Sequence, residues 1–538
     1  MAKATEPFMD IHGTSLIAGR PAETTGRTFR AFDPALGTEI APDFYEASPG
    51  DVDAAMRAAA DAFADYRARP AETRAAFLEA IAAEIESLGD ALVARATAET
   101  GLPAARIEGE RARTCFQLRL FAQVVREGSW VDARIDTALP DRKPLPRPDL
   151  RRMLLPLGPV VVFGSSNFPL AFSAAGGDTA SALAAGCPVI VKAHRAHPGT
   201  GEIVGRAIAR AAERCGLPGG VFSLIHGGGA TVGMAMVRHE AAAAVGFTGS
   251  HTAGRALFDA AASRPRPIPV FAEMSSLNPL IVLPAALRAR GAAIAQGLLA
   301  SFTLGVGQFC TKPGLVFVPQ GADADEFMTA LSAAVAAAPC GTMLTPGIRD
   351  AFVEHRDRVA HASGVKVAAA ASAVALADKT QAAPSVGVTT GAQFLASPEL
   401  AIEAFGPFTL VIRCTDASEV ARCVRSLEGQ LTATVHADGE DLTSFSELLA
   451  DLEQKAGRIV FNGFPTGVEV APAMNHGGPY PATTDARFTS VGTAAMLRFA
   501  RPVCYQNLPD DRLPAALQNR NPLGILRMVN GAHTPAAL

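Results

Sequence analysis

The sequence lacks the features that mark nucleic-acid-binding, membrane-spanning and secreted proteins. Its 48 basic and 52 acidic side chains give a formal net charge of -4, which provides no positive surface for a nucleic acid. No run approaches the ~20 apolar residues that a bilayer-spanning helix needs. The first residues, Met1–Pro7, also lack the apolar stretch of a signal peptide. We therefore expect a soluble, cytoplasmic protein with no nucleic-acid or membrane partner.

The eight cysteines follow no disulfide or metal-binding pattern. They are scattered along the chain, with no Cys-x-x-Cys pair and no histidine cluster at zinc spacing. In a chain of this size such scatter predicts reduced intracellular thiols and no metal site.

One cysteine stands in an unusual setting. Cys310 lies between Gly307 and a Pro313-Gly314 turn, ahead of an apolar, strand-like run at 315–318. Glycine lets the backbone approach a ligand closely, so this setting favours a thiol that a turn presents for reaction. The alternative is a small buried hydrophobic residue, which is the usual role of free cysteine.

The middle of the chain alternates between apolar strand-like runs and helix-like segments. Strands are predicted at 159–163, 188–192, 221–225 and 243–248, with helices at about 173–185 and 199–215. This alternation with short connections predicts a parallel, doubly wound sheet. The pattern restarts beyond Cys310, and 538 residues exceed a single core. We therefore expect an α/β fold with two or three domains.

Polar residues stand where several of the predicted strands end. Asn167 follows the first strand, Lys192 closes the second, and Gly249-Ser250 follows the fourth. Ligands of open parallel sheets bind outside the carboxyl ends of the strands. Lys192 can hold ribose hydroxyls or a phosphate there, or it is a snorkelling surface lysine. A helix that starts near Thr252 would offer its N-terminal amides to a pyrophosphate.

Glu273 is a carboxylate enclosed by apolar residues at the end of a further predicted strand. Burial raises the pKa of a carboxyl group, and a raised pKa suits a general base that works near neutrality. The alternative is a structural glutamate whose hydrogen bonds are satisfied.

Six short motifs occur in one order along the chain: Phe163–Pro169, Val191–His194, Gly246–Ser250, Ala272–Met274, Gly307–Cys310 and Glu403–Pro407. Together they resemble the aldehyde dehydrogenase superfamily over nearly the whole chain. Segments 128–132, 146–151, 175–187 and 475–479 are similar to its 2,5-dioxovalerate (α-ketoglutaric semialdehyde) dehydrogenase branch. The resemblance implies two doubly wound parallel-sheet domains, one cofactor-binding and one catalytic, with a small oligomerisation arm.

The resemblance implies roles for three catalytic residues. The Cys310 thiolate would attack the aldehyde, giving a thiohemiacetal and then a thioester. The Asn167 amide and the Cys310 backbone N–H would hold the oxyanion, a contribution of roughly 3 kcal/mol per donor. Glu273 would activate the water that hydrolyses the thioester.

It also implies a cofactor site. Lys192 and Glu403 would hold ribose hydroxyls, Phe405 would lie beside the nicotinamide ribose, and Gly249 and Ser250 would face the pyrophosphate.

Arg195 indicates which cofactor is used. NAD-preferring relatives commonly carry an acidic residue at this position, three places after the lysine. Arginine cannot accept the ribose hydrogen bonds, but it can bind a 2′-phosphate, alone or with Lys192. We expect NADP to be preferred, with NAD as the alternative.

Two positions need separate interpretation. Lys312 stands where the relatives lead us to expect asparagine; it would lower the pKa of the thiol if it lay close by, or it points to solvent. His476 falls where relatives place a histidine near the site, and we treat it as a candidate second base.

The predicted domain boundaries follow from the resemblance and from the proline-rich composition of one segment. Residues 1–130 with 153–275 would form the NAD(P)-binding domain, and 276–470 the catalytic domain. The proline-rich segment 131–152 would form an oligomerisation arm, with 471–510 at the same interface and 511–538 as a C-terminal tail. Relatives are dimers or tetramers, so a homo-oligomer is expected.

The leading hypothesis is NADP-preferring oxidation of an aldehyde to its acid, with 2,5-dioxopentanoate giving 2-oxoglutarate as the favoured reaction. Three alternatives stay open: a dehydrogenase of fatty or other aliphatic aldehydes, a CoA-acylating aldehyde dehydrogenase, and a catalytically silent nucleotide-binding relative. Retention of Cys310, Glu273 and Asn167 disfavours the last. A substrate carboxylate would need a cation or amide donors, and the sequence assigns no arginine to that role; Arg113 is only a guess.

Overall fold

The computed structural model describes residues 11–444 and 446–538. Residues 1–10, which include the stretch expected to carry no signal peptide, lie outside the described residues. Helices cover three larger sheets, and the expected α/β class is confirmed. None of the helices in the described part of the chain combines the length and apolar character that crossing a membrane requires.

The first sheet has seven strands, in the spatial order Val270–Glu273, Ala244–Thr248, Val160–Phe163, Val189–Lys192, Phe222–Ile225, Leu16–Ile17 and Arg20–Pro21. The first five are parallel, as the alternating pattern predicts. Phe163 pairs with both Lys192 and Phe247, and Thr248 pairs with Glu273. The carboxyl ends of four strands therefore meet at one edge, and the predicted polar residues meet with them.

The second sheet also has seven strands, in the order Lys366–Ala370, Ser385–Thr390, Phe408–Cys414, Leu315–Pro319, Leu280–Val282, Gln430–His436 and Ala456–Phe461. Only the edge strand Lys366–Ala370 runs antiparallel to its neighbour. Leu315–Pro319, which directly follows the Cys310 segment, lies at its centre.

The third sheet has five strands, in the order Ala500–Gln506, Leu150–Pro156, Arg134–Asp136, Arg527–Val529 and Ala532–Thr534. The predicted proline-rich arm, 131–152, thus contains the strand Arg134–Asp136 and the start of the strand Leu150–Pro156. The segment 511–538, predicted as a tail, contributes two of its strands, because residues 527–529 pair with the arm strand at 134–136. Two further antiparallel sheets have two strands each: one pairs Thr28–Asp33 with Thr38–Tyr45, and the other pairs Gly341–Thr342 with Gln381–Ala382.

The α-helices of the described residues are Pro49–Ala68, Ala71–Ser87, Gly89–Thr100, Ala104–Glu127, Gly177–Ala185, Pro198–Arg214, Met234–Arg238, His251–Ala262, Pro284–Thr303, Ala322–Ala336, Pro346–Ala360, Gly391–Ala396, Ala417–Ser426, Asp441–Ser444 and Ser446–Glu453.

A buried carboxylate fixes the start of the helix that follows the Lys192 strand. Glu99 accepts hydrogen bonds from the amides of Gly199 and Thr200, both at 2.8 Å, and pairs with Arg95 at 2.9 Å. Its side chain is fully buried. Negative charge is stabilised at a helix N-terminus, so Glu99 anchors the helix Pro198–Arg214 and the loop before it.

Replacing this carboxylate should destabilise the protein strongly. Glu99→Ala leaves two amides and Arg95 without their partner, and we expect it to lower the free energy of unfolding by about 3 kcal/mol. Thermal unfolding would measure this against Glu86→Ala, which removes only an exposed pair with Arg119 and should cost about 1 kcal/mol or less. Equal shifts in the two variants would contradict the anchoring role.

Candidate active site

Two side-chain amides hold the Cys310 segment against both sheets. Asn167, in the loop after strand Val160–Phe163, donates to the carbonyl of Gln308 at 2.9 Å. Asn278 donates to the carbonyls of Cys310 at 2.8 Å and Lys312 at 2.9 Å. The backbone on each side of the thiol is therefore fixed, and Asn167 keeps one amide hydrogen beyond the bond to Gln308.

The thiol lies beside an imidazole and a carboxylate. The Sγ atom of Cys310 is 3.5 Å from Nε2 of His476, and that nitrogen is 2.9 Å from Oε1 of Glu273. Ser490 donates from its hydroxyl to Oε2 of the same carboxylate at 2.5 Å. Glu273 is 3% exposed and His476 is fully buried. The structure therefore brings together two predicted catalytic residues and the candidate second base.

The pKa of Glu273 moves in the opposite direction to the one that burial alone predicts. Burial raises the pKa of its carboxyl, but His476, Ser490 and the thiol of Cys310 lower it by more, so the net pKa lies below the ordinary value. The expectation of a raised pKa is wrong, because it counted the apolar neighbours in sequence and not these partners. Glu273 is ionised at neutral pH.

The pKa of the Cys310 thiol is raised well above its ordinary value. Burial is the largest cause, and the carboxylates of Glu273 and Glu403 add to it, whereas Arg458 lowers it. A protonated thiol beside an ionised carboxylate is a proton donor next to its acceptor. The arrangement can generate a thiolate by local proton transfer when a substrate arrives.

Lys312 lies neither beside the thiol nor in solvent. It is 2% exposed, and its Nζ donates to the carbonyls of Ala404 at 2.8 Å and Phe408 at 2.9 Å. Burial lowers its pKa to about 8, while Glu403 acts in the opposite direction. The expectation of a cation next to the sulfur, or of an exposed lysine, is therefore wrong.

The predicted cofactor residues lie along the same edge of the first sheet and on the segment that Lys312 binds. Lys192 is buried at its strand end; burial, with Arg195 adding to it, lowers its pKa to about 8. Ser250 caps the helix His251–Ala262, and Gly249 before it is exposed. Burial raises the pKa of Glu403, against the opposing influence of Lys312. Phe405 is partly exposed two residues further on.

Arg195 is already paired. It forms an ion pair with Glu46, and its guanidinium carbon lies 4.5 Å from the ring centroid of Phe29. Glu46 also opposes, in part, the lowering of the Lys192 pKa by burial and Arg195. The carboxylate of Glu46, from the N-terminal part of the chain, therefore lies beside the two cations Lys192 and Arg195. The sequence analysis did not predict it.

Ser490 and Asn278 are further site residues that the sequence does not reveal. Ser490 stands beside no motif. Asn278 has a φ of 48°, a backbone conformation that asparagine tolerates better than most residues, but this is visible only in the structure. Glu273, Cys310 and His476 form a cluster of the kind that can hold a metal ion, because their possible ligand atoms lie within 4.8 Å of one another. Sequence spacing could not reveal this cluster, because three distant segments supply its members.

Comparisons with known proteins point to one family. A sequence profile described as the Aldehyde dehydrogenase family matches residues 21–490. The chain is 56% identical to alpha-ketoglutaric semialdehyde dehydrogenase 2 of Azospirillum brasilense, covering 97% of this chain and 99% of the relative. It is 47% identical to alpha-ketoglutaric semialdehyde dehydrogenase of Acinetobacter baylyi, with the same coverage.

Solved structures share the fold. A betaine aldehyde dehydrogenase from Staphylococcus aureus, in complex with NAD+, superposes with a TM-score of 0.79 at 22% identity, covering 92% of this chain and 96% of that one. With the match of the profile to most of the chain and the identity of the two relatives over nearly all of it, the conclusion is direct: the chain belongs to the aldehyde dehydrogenase family.

Proposed function

We propose that this aldehyde dehydrogenase oxidises 2,5-dioxopentanoate to 2-oxoglutarate through Cys310, with NADP as the preferred cofactor. The contact of the Cys310 thiol with His476, and of His476 with Glu273, is the observation that carries the mechanism. The substrate is drawn from the similarity to the two semialdehyde dehydrogenases of Azospirillum brasilense and Acinetobacter baylyi.

The first step is removal of the thiol proton. Nδ1 of His476 is buried without a hydrogen-bond partner, so the proton of a neutral imidazole is best placed on Nε2, where Glu273 accepts it. A nitrogen that carries this proton cannot also accept the proton of the thiol. Glu273 is therefore the base, and His476 holds and stabilises its charge.

The second step is attack on the aldehyde, and Asn167 stabilises its product. The thiolate adds to the aldehyde carbon, and the carbonyl oxygen gains negative charge. The remaining amide hydrogen of Asn167 and the backbone N–H of Cys310 hold this oxyanion in the thiohemiacetal. Each such donor contributes roughly 3 kcal/mol to the lowering of the barrier.

The cofactor site fits a dinucleotide by its donor set. Lys192 supplies a buried ammonium at a strand end, Glu403 a carboxylate, and the capped helix at Ser250 its N-terminal amides. When bound, the nicotinamide cofactor supplies the hydride acceptor that this oxidation requires. Phe405 would border the ribose next to that ring.

Hydrolysis completes the reaction. Cys310 holds the acyl group as a thioester, and Glu273, having released the thiol proton to solvent, takes a proton from water. The hydroxide adds to the thioester carbonyl, the tetrahedral intermediate expels the Cys310 thiolate as the acid is released, and Glu273 returns its proton to that sulfur. Because Glu273 is the water-activating group, acyl transfer to CoA is the weaker alternative, and acyl-CoA formation on addition of CoA would support it instead.

We propose the domain assignment on the same basis. Residues 1–130 and 153–275 would carry the cofactor, 276–470 the thiol, and the arm at 131–152 with 471–510 would join copies into a homodimer or homotetramer. The third sheet presents edge strands at Ala500–Gln506 and Ala532–Thr534 for such an interface. All eight cysteines are free, which supports a reducing, cytoplasmic location.

The cysteine should be essential. Cys310→Ala is expected to abolish aldehyde-dependent NADPH formation, by at least about 1000-fold in kcat, since it removes the sulfur on which the proposed thioester forms. Absorbance at the reduced-cofactor band, with a panel of aldehydes and semialdehydes and both NAD and NADP, measures this. Cys504→Ala, at an exposed cysteine, is the matched control. Unchanged turnover in Cys310→Ala would refute the mechanism.

Neutralising the base should make the resting thiol more acidic. The Glu273 carboxylate raises the pKa of Cys310, so Glu273→Gln lowers that pKa and increases the thiolate fraction at a given pH. We expect faster alkylation by iodoacetamide at pH 7 to 9, with the pH profile displaced to lower pH, while turnover is lost. Ser490→Ala keeps the Glu273 carboxylate, so the pH profile of alkylation should stay at high pH, as in wild type. A profile displaced upward in Glu273→Gln would contradict the assignment.

Cofactor preference should respond to both members of the Arg195–Glu46 pair. Arg195→Ala removes the cation offered to a 2′-phosphate, and we expect the KM for NADP to rise about tenfold or more, with little change for NAD. Glu46→Gln releases Arg195 and should raise the NADP-to-NAD ratio of kcat/KM. Steady-state kinetics with each cofactor measures both. A wild-type ratio well in favour of NAD would contradict the proposed preference.

A further inference from the structure

Two arginines near the thiol have no part in the proposed mechanism. Arg113 lies on the helix Ala104–Glu127 and Arg458 on the strand Ala456–Phe461. They meet at one loop, where Arg113 donates to the carbonyl of Val468 at 3.3 Å and Arg458 to that of Gly467 at 3.0 Å. Because those carbonyls belong to consecutive residues, the two guanidinium groups lie in the same region.

Contacts connect this region to the reacting sulfur. The guanidinium carbon of Arg113 is 5.3 Å from the ring centroid of Phe172, and that ring is 6.5 Å from the imidazole of His476. His476 in turn lies 3.5 Å from the Cys310 sulfur. One aromatic ring and one imidazole thus separate Arg113 from the thiol.

Neither arginine forms an ion pair within the described residues, although the carboxylates of Glu110 and Glu469 raise the pKa of Arg113 against the larger effect of burial. No carboxylate among residues 11–444 and 446–538 forms an ion pair with Arg113 or Arg458, whereas nearby Arg106 pairs with Glu110 at 2.6 Å. Nη1 of Arg113 and Nε of Arg458 are buried without a hydrogen-bond acceptor. Unused buried donors on a charged group are costly, and burial lowers the pKa of both guanidinium groups. Two unpaired cations in one place suit an anion that comes with the substrate.

We propose that Arg113 and Arg458 bind the carboxylate of the substrate, so that the enzyme selects aldehydes with a carboxylate at the far end of the chain. The forked guanidinium donors match carboxylate oxygens, and a 2-oxo group beside the carboxylate adds a further acceptor. Phe172 packs on Arg113 and offers an apolar surface for the methylene groups between the two ends. This inference rests on the proposed function and identifies the substrate class of the same thiol.

The test compares two aldehydes of equal chain length. Wild type should oxidise 2,5-dioxopentanoate with a higher kcat/KM than pentanal, and Arg113→Met and Arg458→Met should each reduce that ratio about 10- to 100-fold, the effect of one hydrogen-bonded charge. The ratio is the readout because Arg458 also lowers the pKa of the thiol. Arg119→Met, on the same helix but in an exposed pair with Glu86, is the matched control and should keep the wild-type ratio.

A second measurement uses only the wild-type protein, in case a variant does not fold. 2-Oxopentanoate, which has the carboxylate and no aldehyde, should slow the alkylation of Cys310 by iodoacetamide, and uncharged 2-pentanone should not. Absence of protection, equal kcat/KM for the two aldehydes in wild type, or an unchanged ratio in both arginine variants would overturn the inference and leave the proposed aldehyde oxidation standing. Failure of wild type to oxidise any aldehyde would instead refute the proposed function.

Discussion

The charge of one buried carboxylate governs the candidate site. Burial raises the pKa of Glu273, but hydrogen bonds from His476 and Ser490 lower it by more, so the carboxylate stays ionised. Burial raises the pKa of the neighbouring Cys310 thiol, and the charge of Glu273 raises it further, so the thiol stays protonated. The resting site therefore stores a proton on sulfur beside the group that accepts it, and reactive thiolate need not persist between turnovers.

The parallel sheet brings the other predicted site residues next to Glu273. Strand pairing places Phe163 level with Lys192 and Phe247, and Thr248 level with Glu273. The loops after these strands must then open on the same edge, and the Cys310 segment reaches that edge from the second sheet through the bond of Asn167 to Gln308. Separation along the chain between the predicted nucleophile, base and cofactor residues is a consequence of this geometry.

The sequence predicts what depends on local pattern and misses what depends on distant partners. Apolar strands that end in polar residues reveal the sheet, Lys192 and Glu273, and the glycines around Cys310 indicate a presented thiol. The direction of the Glu273 pKa shift depends on His476, 203 residues away. Glu46 pairs with Arg195 and Lys312 donates to distant backbone carbonyls only through tertiary packing. The same is true of Arg113 and Arg458, which meet at the loop of Gly467 and Val468. No pattern in the sequence distinguishes a partly buried helical arginine such as Arg113 from the more exposed arginines on the same helix.

Lys312 has a mechanical consequence. Its ammonium joins the Cys310 segment, two residues away in sequence, to the backbone at Ala404 and Phe408, on either side of Phe405. The predicted nucleophile and the segment expected to border the nicotinamide ribose are thereby connected through one buried side chain. Any displacement of that segment is transmitted to the sulfur. If that segment borders the cofactor as proposed, the alignment of the thiol with the nicotinamide depends in part on one buried cation.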